Sequence, residues 1–238
     1  MSGHSKWAQI KRKKAVTDAK RSRVFSKLAA VISIAAREKG GDPNMNPSLR
    51  MVIDKARSLN MPMDNIERAV KRGAGSAEAG GLEEIFLEAY GPGGKALLIQ
   101  AITDNKNRTI AEIKHVLNAH GGKMASIGSV KWLFEKKGKI ILENQKLTDE
   151  LELKLIEAGA EDIQVNGEQI IILTKLENLE LIKQKISETG LAATEANLSF
   201  IPKNPEKIYE ADQAAYEKLF EDLDDQQDVE EVYTTLEF

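Results

Sequence analysis

Residues 84–103 read EIFLEAYGPGGKALLIQAIT, and the arrangement of the rest of the chain follows from them. Two apolar runs, 84–90 and 95–103, have the composition of β-strands, and the Gly-Pro-Gly-Gly sequence between them is typical of a tight hairpin connection. A strand rather than a helix follows these glycines, which argues against a dinucleotide-binding loop. The segment therefore predicts a β-hairpin.

The residues directly after the hairpin predict one helix and one further strand. Ile110, Ile113, Val116 and Leu117 recur at helical spacing, and Gly121-Gly122 ends the pattern. A strand is then expected over residues 130–134. Trp132 and Phe134 would share one face of that strand, where core packing is favoured over base stacking.

The pattern from Gly138 onward is βαββαβ, which predicts a ferredoxin-like unit. Its middle strands meet at Asn166-Gly167, a strong hairpin signal. A helix over 211–223 and an alternating segment over 229–238 follow this unit. Since the segment containing residues 84–134 cannot complete a sheet alone, we expect these last elements to return to it and make the ferredoxin-like unit an insertion.

Three helices precede the hairpin and predict a small bundle. The first is capped by Thr17 or Asp18 and ends at Gly40-Gly41, and the second has Asn46 as its cap. The third is expected to begin at a capping box formed by Asp64 and Glu67. A Gly- and Ala-rich linker follows at 73–81. The fold class is thus multidomain α and α+β, with expected domains 1–78, 79–135 plus 205–238, and 136–204.

Charge is distributed unevenly along the chain. Residues 1–75 contain 17 basic and 6 acidic residues, a balance of +11, so the remainder must carry −14 to give the net charge of −3. The basic residues of the first segment include Lys6, Lys11, Arg12, Lys13, Lys14, Lys20, Arg21 and Arg23, with Trp7 among them. Phosphate is the partner that this composition favours, although a solvated basic N-terminus is the alternative.

Several functional classes are disfavoured by composition. The chain has no cysteine, which excludes disulfides and Cys-based zinc sites, and its longest apolar run, 28–36, is too short to span a bilayer. The three histidines lack metal-ligand spacing, and the acidic residues between 221 and 231 are interpreted as a solvated face. We expect a cytoplasmic, monomeric protein without enzymatic activity, metal, cofactor or membrane partner.

One polar segment leaves alternatives open. It contains Asp104, Asn105, Asn107, Arg108 and Thr109. Asn107 or Thr109 could cap the following helix, or Arg108 could hold an anion or an acidic partner. An enzyme that uses the side chains of this segment is a third hypothesis.

Motifs along the whole chain resemble those of the YebC family. They are Gly3-His4-Ser5-Lys6-Trp7, the basic run 11–14, Phe25-Ser26-Lys27, Asn46-Pro47, Asn60-Met61-Pro62, Asn65-Ile66-Glu67-Arg68-Ala69 and the segment 103–109. The resemblance implies a helical bundle, a middle α+β domain and an inserted ferredoxin-like domain. It also implies a role in gene expression, since bacterial members are described as DNA-binding transcriptional regulators, a mitochondrial relative activates translation, and bacterial relatives have been tied to translating ribosomes.

The sequence and the resemblance together predict a nucleic-acid-binding regulator of transcription. Its partner is expected to be DNA, and a ribosome-associated translation factor that binds ribosomal RNA is the alternative. The expected binding residues are Lys6, Trp7, Lys11, Arg12, Lys13, Lys14, Lys20, Arg21, Arg23, Lys27, Arg37, Arg50, Arg68 and Arg72.

Overall fold

The structure is a computed structural model that describes residues 18–75 and 81–237, with side chains from residue 21 onward. The chain divides into two compact units. One unit is Phe134–Lys203, and the other consists of the described residues on either side of it in sequence.

Three helices open the second of these units, as the sequence predicts. They are α1 (Asp18–Lys39), α2 (Pro47–Ser58) and α3 (Met63–Ala74). Their apolar faces form one core that includes Leu28, Ile32, Leu49, Ile53 and Ile66. A helical bundle of this size is stabilised mainly by burial of such faces.

Asn46 links the end of α1 to the start of α2. Its side-chain oxygen accepts a hydrogen bond from the Leu49 amide at 3.1 Å, which confirms the predicted cap. Its amide group donates to the carbonyl oxygens of Ala35 and Gly40, both at 2.8 Å. Since the residue is fully buried, these three bonds satisfy polar groups that water cannot reach.

The predicted capping box at the start of α3 is wrong. The helix begins one residue earlier, at Met63, and its N-cap position is Pro62, which makes no side-chain cap bond. Asp64 therefore lies inside the first turn, where its charge still complements the helix dipole.

A four-stranded antiparallel sheet forms the remaining core of this unit. Its order is β3 (Lys123–Met124), β1 (Glu83–Tyr90), β2 (Ala96–Thr103) and β9 (Val229–Thr234). The predicted hairpin is confirmed by continuous pairing from Glu83 with Thr103 to Tyr90 with Ala96. β9 pairs antiparallel with β2, so the last part of the chain does return to the hairpin.

Two helices cover one face of this sheet. They are α4 (Lys106–Ala119) and α7 (Glu210–Asp224), and their buried side chains share a core with alternate residues of β1 and β2. A short parallel pair, β8 (Glu206–Lys207) with β10 (Leu236–Glu237), completes the unit.

The predicted strand over 130–134 is wrong. Lys131–Leu133 form a 3-10 turn, and Trp132 is 62% exposed rather than packed in a core. Phe134 is buried, but it is the first residue of the next strand. The short edge strand β3 was not predicted, because two residues give no periodicity to detect.

The unit Phe134–Lys203 contains one antiparallel sheet and two helices. In chain order its elements are β4 (Phe134–Glu143), α5 (Asp149–Glu157), β5 (Ala160–Asn166), β6 (Gln169–Thr174), α6 (Leu179–Glu188) and β7 (Glu195–Pro202). The strand order is β5-β6-β4-β7. The mixed α and β composition with antiparallel sheets agrees with the sequence prediction.

The turn between β5 and β6 consists of Gly167 and Glu168, because Asn166 already pairs with Gln169. Among the described residues, no helix is both long and apolar enough to cross a membrane.

Candidate nucleic-acid interface

The predicted binding residues lie partly outside the described residues and partly on the three helices of the bundle. Lys6, Trp7 and the run 11–14 lie outside the described residues, and so does the side chain of Lys20. Among the others, Arg21, Arg23, Lys27 and Arg37 lie on α1, Arg50 lies half-buried on α2, and Arg68 and Arg72 lie on α3.

A basic groove of about 740 Å³ lies between α1 and α3. Its cationic side chains are Arg21, Arg68, Lys71 and Arg72, and none of the described residues that line it is acidic. Phe25 and Met61 add apolar surface to its lining. The basic groove thus brings together three of the predicted residues with Lys71, which was missed although it lies one helical turn after Arg68.

Arg72 is positioned by the contact between α1 and α3. Its Nε and Nη2 atoms donate to Ser33 Oγ at 3.1 and 3.0 Å, and Nη2 also approaches the Ala29 carbonyl at 3.2 Å. The hydroxyl of Ser33 lies 2.9 Å from the Ala69 carbonyl on α3. One end of the basic groove is therefore fixed by hydrogen bonds to the bundle itself.

Arg23 and Lys27 lie on a different side of α1 and contact the end of α7. Arg23 Nη1 lies 2.9 Å from Asp225 Oδ1, while Lys27 Nζ donates to the Asp224 carbonyl at 2.5 Å and lies 3.4 Å from its Oδ1. Carboxylates at a helix C-terminus oppose the helix dipole, so these cations offset an unfavourable position. Both side chains were predicted to bind phosphate, and both make ion pairs within the chain instead.

Arg37 also makes an internal contact. Its Nη1 donates to the Leu82 carbonyl at 2.6 Å, just before β1. Arg37 thus connects α1 to the start of the sheet.

The polar segment after β2 is organised by Asp228, which is buried. Its Oδ2 accepts hydrogen bonds from Thr109 Oγ1 at 2.6 Å, Arg108 Nη2 at 2.8 Å and Thr103 Oγ1 at 3.1 Å. Asp104 Oδ1 lies 3.0 Å from the same Arg108 nitrogen. The Arg108 guanidinium therefore faces two carboxylates of its own chain.

Two predictions about this region are corrected by these contacts. Asn105, rather than Asn107 or Thr109, caps α4 by accepting from the Arg108 amide at 3.1 Å. The acidic cluster is not wholly a solvated face, because Asp228 is only 8% exposed.

The hydrogen bonds to Asp228 also decide its ionisation. Burial alone would raise the pKa of this carboxyl, but hydrogen bonds from Arg108, Thr109 and Thr103 outweigh burial and hold the pKa below its usual value. Asp228 is therefore a carboxylate at neutral pH.

Another acid of the cluster contacts a histidine. His120 follows α4, and its Nε2 lies 2.7 Å from Asp222 Oδ2 on α7. This pair joins the ends of the two helices that cover the sheet, since His120 is the C-cap residue of α4.

A second cavity, of about 370 Å³, lies beside this segment. Lys27, Arg72 and Arg108 line it together with Asp104, Asp228 and Glu230. Cations and carboxylates are equal in number here, in contrast to the basic groove. Within the described parts of the chain, no group of three or more His, Asp or Glu side chains has an arrangement that could hold a metal ion.

Two family models together match nearly the whole chain. Residues 5–76 match the TACO1/YebC protein N-terminal domain, and residues 82–236 match the TACO1/YebC second and third domain. The chain belongs to the TACO1/YebC family. The resemblance identified from the sequence motifs is thereby confirmed.

Curated relatives within the TACO1/YebC family are similar over their whole length. A probable transcriptional regulatory protein of Thermoanaerobacter pseudethanolicus is 45% identical over all of this chain and 97% of its own. One from Thermosipho africanus is 48% identical, over all of this chain and 94% of the relative. The crystal structure of a conserved hypothetical protein from Aquifex aeolicus superimposes with a TM-score of 0.87 at 42% identity, covering 97% of this chain and 96% of that one.

Proposed function

We propose that this protein is a DNA-binding regulator of transcription that neutralises backbone phosphates with the basic groove and the basic N-terminal segment. The observation that carries the proposal is the groove between α1 and α3, where Arg21, Arg68, Lys71 and Arg72 converge without an acidic neighbour among the described lining residues. Such a concentration of unbalanced positive charge attracts a polyanion. The names of the curated relatives support the same function.

Only some of the cationic side chains on α1 are available to bind DNA phosphates. Arg21 opens onto the basic groove, whereas Arg23 and Lys27 are paired with Asp225 and Asp224. Phosphate contacts carry no sequence information by themselves, so this interface supplies affinity and orientation rather than a sequence code.

We also infer the finer domain division. The domains are 1–78, 79–135 with 205–238, and an inserted ferredoxin-like domain at 136–204. The separate family matches at 5–76 and 82–236 support the first boundary, and the compact unit Phe134–Lys203 supports the insertion. In this proposal the protein is a cytoplasmic monomer that has no enzymatic activity.

The test measures binding of a labelled DNA duplex at a series of salt concentrations by fluorescence anisotropy. If about six phosphates are contacted, log affinity falls against log salt with a slope of about −5. The double variant Arg68→Gln, Lys71→Gln removes two groove cations and should reduce the magnitude of that slope by about 2. Lys146→Gln with Lys175→Gln, two exposed lysines of the unit 134–203, is the matched control and should leave the slope unchanged.

Two outcomes would contradict the proposal. One is a slope near zero for the wild-type protein, and the other is an equal loss of affinity in the groove variant and in the control. Binding to ribosomes in a sucrose gradient without measurable duplex binding would instead favour the translation factor.

A further inference from the structure

A buried carboxylate, Glu88 on β1, holds the loop that follows β3. Glu88 is 6% exposed, and its Oε1 accepts a hydrogen bond from the Gly128 amide at 2.6 Å. Its Oε2 accepts from the Lys131 amide at 2.9 Å and from the Val130 amide. We call residues 125–133 the Glu88 loop.

The number of bonds within the Glu88 loop makes it a rigid element. The Ala125 amide donates to the Glu88 carbonyl at 2.8 Å, and the Ser129 amide donates to the Ser126 carbonyl at 3.1 Å. Burial alone would raise the pKa of Glu88, but the hydrogen bonds from Gly128, Val130 and Lys131 amides outweigh it, and the pKa is lowered. A charged acceptor therefore fixes the loop at neutral pH.

This rigid loop presents two large apolar side chains to solvent. Ile127 is 99% exposed and Trp132 is 62% exposed. Trp132 Nε1 donates to the Ser129 carbonyl at 2.9 Å, so the polar atom of the indole is already bonded and its ring orientation is restrained. Large apolar side chains that a preorganised loop holds in solvent are available to a partner at little entropic cost.

The charges that residues 122–133 themselves carry are positive, while the neighbouring strand β1 carries carboxylates. Lys123 and Lys131 are the charged residues of 122–133, and Lys131 Nζ lies 4.6 Å from the centre of the Phe86 ring. Two carboxylates of β1 share the sheet face with Phe86, and both are engaged: Glu88 binds the loop, and Glu84 accepts from Gln100 at 2.6 Å. Lys123 and Lys131 supply positive charge beside the apolar surface of Ile127 and Trp132, a combination suited to a ligand that has both a flat apolar group and negative charge.

We propose that the Glu88 loop is a second nucleic-acid contact, which binds an unpaired base by stacking it on Trp132. Ile127 packs against the edge of the base, and Lys123 and Lys131 face the neighbouring phosphates. A base supplies both a π face and an adjacent charge, and stacking on an indole needs no free N–H. The inference rests on the proposed function for the class of partner, but it requires unpaired bases, whereas the basic groove requires only phosphates.

The deciding experiment monitors Trp132 directly. In a Trp7→Phe background Trp132 is the remaining tryptophan, since the chain has two. An oligothymidylate should quench its emission in a saturable manner, because a stacked base quenches indole fluorescence. An abasic oligomer of the same length, with the same phosphates and no bases, should bind in an anisotropy assay without changing the emission.

Affinity measurements on variants complete the test. Trp132→Ala should weaken oligothymidylate binding about fivefold to a hundredfold, the range found for loss of one stacked base, and Trp132→Phe should retain most of the affinity. Met45→Ser removes another exposed apolar side chain, which lies in the bundle, and is the matched control, with no change expected. Glu88→Gln should lower the fluorescence anisotropy of Trp132 and weaken oligothymidylate binding, while duplex binding remains.

The outcomes separate this inference from the proposed function. If the duplex binds with the expected salt dependence but a bound oligothymidylate leaves Trp132 emission unchanged, the loop proposal is overturned and the groove proposal stands. If the Trp132→Ala and Met45→Ser variants bind oligothymidylate equally well, Ile127 and Trp132 belong to a protein interface instead. If neither nucleic acid binds, both proposals fail.

Discussion

Asp228 fixes a segment whose residues lie 119 to 125 positions earlier in the chain. It is bonded to Thr103 at the end of β2 and to Arg108 and Thr109 in the first turn of α4. Asp228→Asn removes the charge that these donors surround and should lower the free energy of unfolding by about 1–3 kcal/mol at pH 7. Urea unfolding measures the difference.

The pH dependence of that loss is a second check on the same residue. The pKa of Asp228 is lowered in the folded protein, so its contribution is complete above the unfolded-state value of about 3.9 and is lost as pH falls through the folded value. The wild type and the variant should therefore converge in stability below about pH 4. Asp104→Asn, at an exposed carboxylate beside the same Arg108, should cost less than about 1 kcal/mol. An equal cost for both variants would refute the central role of Asp228.

Individual residues differed in how far the sequence could predict them. Asn46 was assigned correctly because a cap depends on its immediate neighbours and on the proline that follows. Asp228 was not, because in sequence it is one acid among many, and only the pairing of β9 with β2 brings it to Arg108. Phe25 was missed as a lining residue of the basic groove for the same reason, since α3 supplies other lining residues.

At the level of elements, α1 and α3 touch through a glycine. A Cβ atom at Gly73 would lie 2.1 Å from the Ser33 carbonyl oxygen, so any larger residue must push the helices apart. Gly73→Ala should therefore destabilise the bundle by about 1–3 kcal/mol, although alanine is the better helix former. Thermal unfolding followed by circular dichroism measures this loss.

A control in the same helix separates packing from helix propensity. Glu67→Ala changes an exposed position of α3 and should alter stability by less than about 0.5 kcal/mol. If Gly73→Ala proved neutral or stabilising, the close contact between α1 and α3 would not be a feature of the folded bundle.

The error at residues 130–134 has a physical cause. Val-Lys-Trp-Leu-Phe alternates as a strand does, and alternation is the signal from which strands are predicted. The backbone amides of Val130 and Lys131 are taken by Glu88, which lies more than forty positions earlier, so they are not available to a neighbouring strand. The Glu88 side chain thus accepts the hydrogen bonds that a neighbouring strand would otherwise accept. Hydrophobic periodicity carries no information about such a long-range contact.

On the scale of the whole molecule, acidic and basic elements are paired where α1 meets α7. Lys27 is mostly buried, with 11% of its side chain exposed, and it contacts Asp224, whereas the neighbouring pair of Arg23 and Asp225 is about half exposed. Lys27→Met should lower the free energy of unfolding by about 1–3 kcal/mol, because it leaves a partly buried carboxylate without this cation. Arg23→Met should cost no more than about 1 kcal/mol.

The same two variants test whether Lys27 and Arg23 bind DNA. Since both side chains are engaged inside the molecule, Lys27→Met and Arg23→Met should change the salt dependence of duplex binding less than Arg68→Gln does. Unfolding in urea and duplex anisotropy are measured on the same preparations. A Lys27→Met protein of unchanged stability and strongly reduced DNA affinity would reassign Lys27 to the interface.

The pairing of β9 with β2 determines when this protein can finish folding during its synthesis. Val229 lies 126 positions after Thr103, and chains grow at about 5–20 residues per second during synthesis, so the hairpin waits about 6–25 s for its missing neighbour. In that interval one edge of β2, a strand of almost entirely buried residues, has no native partner to cover it. The nascent chain is therefore most vulnerable to aggregation after the ribosome has passed Thr103 and before β9 emerges from the exit tunnel.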